Sequence, residues 1–304
     1  MSEPEVPRHV FHYTQPSGLM GIAESRSFRA TEASGLNDRD ELIYGWTILP
    51  ELVRRQGYAD LASELEAARD DGERRDVFVT CASELADDAG QWDRYANGGR
   101  GYSLSINTYF KWCIRVNRAH PGPRSDFFNF WKVKPWNRVL YTEDDILGEL
   151  SSWIPRTAAK YEEDEVRAKS AGSADDHHEY LFDQRMNLLA SADDLIHRIK
   201  REGFSGEREF RLIAVTNDLD AIKYRESRYG LVRYVDIVNS AKSSIDDRIL
   251  FDSEHPRELQ VGAPPISGVR IGPAFDPEGD KTLANYLARN DIRAKVNTSA
   301  VSLR

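Results

Sequence analysis

Three charged residues, Glu207, Glu209 and Arg211, stand at alternate positions of the run Glu207-Arg208-Glu209-Phe210-Arg211-Leu212-Ile213-Ala214-Val215, which is apolar from Leu212 onward. Strand side chains alternate, so Phe210, Leu212 and Ala214 would face one way, and Glu207, Glu209, Arg211 and Ile213 the other. An unpaired charge is costly to bury, so such a row must be paired, solvated in a cleft, or both. A carboxylate fixed on a rigid strand can stabilise positive charge that develops during bond cleavage, and a second one can orient or deprotonate a nucleophile. The same three residues can equally form an ion pair that closes a sheet edge. A second group lies in His9-Val10-Phe11-His12-Tyr13-Thr14, where alternation puts His12 and Thr14 on one side and Phe11 and Tyr13 on the other. A third is Gln91-Trp92-Asp93-Arg94-Tyr95, whose Gln91, Trp92 and Tyr95 share a helix side. Trp92 and Tyr95 either stack on a flat ring or belong to the core.

The elements that must hold these residues alternate irregularly. His9 to Thr14 is a short β-prone run, Pro16 ends it, and a helix carrying Leu19, Ile22 and Ala23 follows. Ser27 to Thr31 reads as a second strand, and Gly35 to Glu41 as a polar turn. Pro50 to Asp71 has helical spacing, Val77 to Cys81 is an apolar strand, and Glu84 to Ala96 reads as a helix. Asn97-Gly98-Gly99-Arg100-Gly101 is a glycine-rich turn that fits neither the dinucleotide fingerprint nor the P-loop. After it, Tyr102, Leu104 and Ile106 alternate on one strand face. Trp131 to Tyr141 holds a strand interrupted by Pro135, and Thr142-Glu143-Asp144-Asp145 has the outline of a capping box. From there to Lys200 the pattern is helical, with a highly charged middle from Lys160 to Asp176. His177-His178-Glu179 lacks ligand spacing and reads as a solvated helix start. Further strands are expected at Ala221 to Tyr224, Gly230 to Val238, Val269 to Pro273 and Ile292 to Val296, with a helix opening at Asp276-Pro277. Strands and helices mixed without regular alternation favour an α+β class.

Composition narrows the function classes. The chain has 304 residues, a net charge of −9 and 30% charged residues. No apolar run is long enough to span a membrane, and Met1 to Pro7 lacks a signal pattern, so a cytoplasmic protein without membrane partners is expected. Cys81 and Cys113 are too few for a disulfide framework or a thiolate metal site. The negative charge argues against a general nucleic-acid coat, although Arg94, Arg100, Lys132, Lys134 and Arg138 could line a local basic groove.

Four blocks in order, Phe11-His12-Tyr13-Thr14, Phe28-Arg29-Ala30-Thr31 with Leu36-Asn37-Asp38 and Glu41, Gln91 to Tyr95 with Gly101 to Ile106, and Glu207 to Ile213, resemble a bacterial family called domain of unknown function 2971. Ile271-Gly272-Pro273 and Ser302-Leu303-Arg304 look like its closing pattern, and the charged stretch 155–200 stands outside the resemblance. A remoter likeness is to ADP-ribosyltransferases of the diphtheria-toxin and DNA-targeting kinds. These place a His on the first strand, an aromatic in the middle and a Glu on a late strand, around NAD in the cleft of a split sheet. His12, Tyr102 or Tyr95, and Glu209 would fill those places, and Glu207 would complete a doubled glutamate.

That likeness implies a single α+β domain over 1–304, with a curved or split, mainly antiparallel sheet, surrounding helices and a helical insertion at about 143–200. It implies an NAD-dependent transfer of ADP-ribose to a macromolecular acceptor, nucleic acid or protein, as in a toxin or anti-phage defence effector. Glu209, Glu207 and His12 would be catalytic, and His12, Tyr13, Thr14, Trp92, Tyr95, Tyr102 and Arg211 would bind NAD, with no metal. Two other classes stay open. One is a metal-dependent hydrolase or nuclease that uses Asp38, Glu41, Glu207 and Glu209 around a hard cation. The other is a non-catalytic nucleotide-binding module. One pocket lined by His12, Thr14, Tyr95, Tyr102 and Glu209 is the geometric expectation.

Overall fold

A computed structural model of the chain describes residues 6–35, 39–70, 76–116, 131–170, 174–227, 230–239, 261–275 and 280–302. The class is α+β. The described strands are β1 (His9–Thr14), β2 (Ser27–Glu32), β3 (Val77–Ser83), β4 (Tyr102–Asn107), β5 (Trp112–Ile114) and β6 (Trp131–Val133), then β7 (Asn137–Arg138), β8 (Glu209–Thr216), β9 (Ile222–Ser227), β10 (Gly230–Asn239), β11 (Ile266–Ile271) and β12 (Lys295–Thr298). They join in one mixed, mostly antiparallel sheet with the path β12-β11-β4-β1-β3-β2-β10-β5. β11 and β12 pair in parallel. The sheet forks at β3: Phe11 of β1 pairs with Ser83 at one end of that strand, and Thr31 of β2 pairs with Val79 nearer the other. β8 joins β3, β6 and β7, and all eight of its residues are buried.

The helices are α1 (Pro16–Ser25), α2 (Arg39–Arg55), α3 (Ala59–Asp70), α4 (Ala89–Tyr95), α5 (Glu143–Lys169), α6 (Ala174–Ile196) and α7 (Asp280–Arg289). The chain divides into two compact units. The first comprises Met1–Glu32, Phe78–Arg138 and Glu207–Arg304 and holds the sheet. Its core gathers Val10, Leu19, Phe28, Phe78, Leu104, Phe210, Leu212, Val235, Val269 and Leu287. The expected apolar faces of the strands of Tyr102 and Glu209 contribute to that core, as does Val10 on the His12 side of β1, whereas Phe11 and Tyr13 on its other side pack with Trp92 and Ala96. The second unit comprises Ala33–Val77 and Val139–Gly206. It packs α2, α3, α5 and α6 around Trp46, Leu49, Leu65, Ile146, Trp153, Leu189 and Ile196.

Several boundaries differ from the sequence reading. The helix expected from Pro50 to Asp71 is two helices, and Pro50 lies inside the first. Proline removes one helix hydrogen bond, but Leu49, Leu52 and Val53 around it are fully buried, and that burial outweighs the loss. The break falls instead at Gly57, whose φ of 94 suits glycine. The helix expected from Glu84 starts later, because Asp88 caps it by accepting the Gln91 backbone N–H. The strand expected from Glu207 begins at Glu209. Glu207 closes a 3-10 turn, Glu202–Glu207, and Arg208 between them has a left-handed φ of 42. Leu36, Asn37 and Asp38, Asp71-Gly72, Asp276-Pro277 and Leu303-Arg304 lie outside the described residues, as do the side chains of Glu41, His177, His178 and Glu179.

Candidate functional site

Two sequence blocks meet in the first unit. α4 brings Gln91, Arg94 and Tyr95 to Glu207. The Tyr95 hydroxyl donates to Glu207 Oε1 at 3.2 Å, and Arg94 Nη1 lies 3.6 Å from the same oxygen. Gln91 Nε2 donates to the Glu207 backbone carbonyl at 3.4 Å, and Ser83 Oγ donates to that carbonyl at 2.7 Å. The turn is pinned further by the Glu84 N–H, which donates to the Arg208 carbonyl at 2.9 Å. The Glu207 side chain is only 6% exposed, whereas that of Arg94 is 47% exposed, and Tyr95 as a residue is 37% exposed. A buried carboxylate therefore sits beneath a phenol and a guanidinium that solvent reaches.

Glu209 has a different environment. Arg211 Nε donates to its Oε1 at 2.8 Å and Arg211 Nη2 to its Oε2 at 3.2 Å. Both side chains are buried, at 8% and 4% exposure. This bidentate fork is the strongest geometry available to an ion pair. It holds Arg211 and Glu209 together on the side of β8 opposite the Phe210-Leu212-Ala214 core face.

α4 itself is fixed from below. Trp92 is fully buried and meets the Tyr13 ring edge-on at 4.8 Å. The Tyr13 hydroxyl donates to the Leu85 carbonyl at 2.9 Å and accepts the Asp88 N–H at 3.0 Å. Burial pushes its pKa up to about 12. Asp87 accepts from Trp92 Nε1 at 2.7 Å, Ser299 Oγ at 2.6 Å, the Ala300 N–H at 2.8 Å and Arg270 Nη1 at 2.9 Å. Burial pushes the Asp87 carboxyl up, but these hydrogen bonds and the Arg270 charge together hold it below its usual 3.8.

His12, Thr14 and Tyr102 lie on the other face of the sheet. His12 pairs with Leu104 and Thr14 with Tyr102, and antiparallel partners share a face. Leu104 is a core residue, and the His12 ring meets core Phe28 edge-on at 5.7 Å. His12 Nδ1 lies 2.8 Å from the Cys81 carbonyl; a carbonyl only accepts, so the proton is on Nδ1. Burial holds the ring below its usual 6.5, against the opposing effect of that hydrogen bond. Tyr102 stacks on Phe275 at 5.3 Å. Thr14 is buried against Gly18 and Gly101, where no Cβ would fit. The single pocket expected from His12, Thr14, Tyr95, Tyr102 and Glu209 is therefore corrected. Tyr13, whose side chain points away from His12, packs beneath the α4 site, while His12, Thr14 and Tyr102 face the core.

Ser83, Asp87 and Asp88 are residues of this site that the sequence reading does not single out. Asp88 carried a readable signal, an Asp three residues before Gln91 at a helix start, whereas Ser83 and Asp87 become visible only through contacts distant in sequence. For the hydrolase alternative, Asp38 and the Glu41 side chain lie outside the described residues, and among those residues no group of three or more His, Cys, Asp or Glu could hold a metal ion. No described helix is long and apolar enough to cross a membrane.

The stretch from within α4 into β8 is also the stretch that comparison recognises. Residues 91–212 match the family described as Protein of unknown function (DUF2971). The DUF2971 match begins at Gln91 and ends at Leu212, so it takes in the Gln91–Tyr95 block and Glu207, Glu209 and Arg211. It also runs through the charged stretch 155–200, which the sequence reading had set outside the resemblance, and it does not reach His12. No curated protein and no solved structure matches the chain.

Proposed function

We propose that the protein cleaves NAD and passes ADP-ribose to a macromolecular acceptor, with Glu207 in the role expected of Glu209. The carrying observation is the buried Glu207 carboxylate held beneath exposed Tyr95 and Arg94. Glu209 is held by Arg211 in a buried bidentate fork, whereas the pair of Glu207 with Arg94 is longer, at 3.6 Å, and its arginine is 47% exposed. In this reading the bond between the nicotinamide nitrogen and the ribose carbon breaks, and its electron pair leaves with nicotinamide. The positive charge that develops on the ribose faces the Glu207 carboxylate, much as in glycoside cleavage. The acceptor's nucleophile then bonds to that carbon and releases its proton to solvent. Tyr95 positions the carboxylate and offers a ring face, and Arg94 offers a guanidinium to the diphosphate. A cytoplasmic site fits this reading, because NAD is the substrate.

The test is nicotinamide release from NAD, measured with cell extract or nucleic acid as acceptor and alongside melting curves. Glu207→Gln should lower the rate about a hundred- to a thousand-fold while keeping the fold, since one preorganised charge is lost. Glu209→Gln should lower the melting temperature more than Glu207→Gln does, because it breaks the fork with Arg211. If the wild type neither binds nor turns over NAD, the reading is wrong; if Glu207→Gln keeps full activity, the assignment of Glu207 is wrong. The Glu209–Arg211 fork favours one other reading, a non-catalytic nucleotide-binding module. In that case NAD would raise the melting temperature of the wild type with no nicotinamide released.

A further inference from the structure

Away from Glu207, the face of the sheet turned from the core carries Arg29 and Arg225 beside one described carboxylate, Asp236, the register partner of Arg29. Phe28 and Ala30 of β2 point into the core, so Arg29 and Thr31 point outward. β10 follows with Tyr234, the register partner of Thr31, and β9 with Arg225, the partner of Val232. The Arg29 guanidinium sits over the Tyr234 ring, 5.1 Å from its centroid. Arg225 Nη2 donates to Thr31 Oγ1 at 3.0 Å, and its Nη1 donates to the Glu226 carbonyl at 3.4 Å. These contacts fix the Arg29 guanidinium over the Tyr234 ring and the Arg225 guanidinium on Thr31, two residues along β2 from Arg29 on the same face. The nearby acid on β10, Asp236, is already occupied by Lys223 at 2.6 Å and by Ser27 at 3.1 Å.

Such an arrangement costs stability in the empty protein. Burial, and then the like charge of Arg29, hold the Arg225 guanidinium below its usual value, the reverse of what a carboxylate partner does. A protein that only needed to close this edge could use uncharged side chains. An anion between the two groups removes the repulsion and gains two planar forks of donors. A phosphoryl group carries close to two negative charges at neutral pH and matches two guanidinium groups, whereas a carboxylate carries one.

We infer that Arg29 and Arg225, braced by Tyr234 and Thr31, form a binding site for the phosphate group of a small phosphate-bearing ligand. The inference does not rest on the reading of Glu207. The test is titration of the full chain by calorimetry with inorganic phosphate, with a nucleoside diphosphate and with acetate, at fixed ionic strength. Both phosphate probes should bind and acetate should not; tighter binding of the diphosphate would assign the site to an ester and equal binding to free phosphate. Arg29→Gln and Arg225→Gln should each weaken binding about tenfold, the loss expected for one charge-assisted contact. Arg156→Gln, at an exposed arginine of the second unit, should leave the inorganic phosphate affinity unchanged. Arg29→Gln should also hold or raise the melting temperature, since it removes a like-charge neighbour, whereas a purely structural arginine would lower it. The inference is overturned if phosphate does not bind at millimolar concentration, if acetate binds equally well, or if Arg156→Gln weakens binding as much as Arg29→Gln and Arg225→Gln do.

Discussion

Glu207 and Glu209 share a residue type and stand two positions apart, yet their surroundings give them different work. Glu209 is locked to Arg211, and Glu207 meets groups that reach solvent. Their alternation with Phe210 was legible in the sequence, and so was the pairing of Arg211 with a neighbouring carboxylate as one of its outcomes. The break between them was not, because a left-handed arginine has no sequence signature. Arg208 adopts that conformation since its carbonyl must meet the Glu84 N–H while the chain turns from a 3-10 helix into a strand. L-residues with a Cβ are strained there by about 1–2 kcal/mol. Arg208→Gly should therefore hold or raise stability, and Arg208→Val should lower it by a similar amount. Chemical denaturation of the two variants checks this, and a Gly variant clearly weaker than wild type would show that the Arg208 side chain matters more than its backbone.

At the scale of elements, the α4 site depends on a carboxylate that touches none of its reacting groups. Asp87 gathers Trp92 of α4, Arg270 of β11 and the chain after β12. The shared side of Gln91, Trp92 and Tyr95 was readable from helical spacing, as was the apolar alternation of β4. The Asp87 hub was not, since its partners lie up to 213 residues away. Asp87→Asn keeps the shape and removes the charge, and should destabilise the protein by on the order of 2 kcal/mol near neutral pH. A carboxyl held below its ordinary pKa in the fold stabilises above the unfolded value and loses that contribution as pH falls through the folded one. The difference in melting temperature between wild type and Asp87→Asn should therefore shrink below about pH 4. A difference that stays constant into acid would mean that the hub acts by shape alone.

At the scale of the molecule, burial pushes the hydroxyls of Tyr13 in the first compact unit and Tyr161 in the second up to about 12. Around Tyr161 the charges of Glu64 and Glu165 add to burial; around Tyr13 those of Asp87 and Asp88 do, against hydrogen bonds from Asp88 and Ser103 that act the other way. The helical pattern of the second unit was legible through the spacing of Leu52, Leu61 and Leu65, but its separateness was not, because that comes from which distant stretches pack together. An unfolded tyrosine loses its proton near pH 10, while these two keep theirs to about 12 in the fold. The unfolded chain therefore binds fewer protons across that window, and stability should be full below pH 10 and fall as pH rises to about 12. Tyr13→Phe cannot ionise, so it should flatten that alkaline loss for the amides of β1 and β4. It should also cost about 1 kcal/mol at pH 8 through the lost hydrogen bonds to Leu85 and Asp88. Tyr161→Phe should flatten the same loss for α5 and α6. Amide hydrogen exchange between pH 8 and 12, corrected for intrinsic rates, resolves the two sets of amides. Equal alkaline slopes in wild type and variant would remove the tyrosine concerned as the cause, and alkaline instability would then rest on the repulsion of a chain that already carries a net charge of −9 at neutral pH.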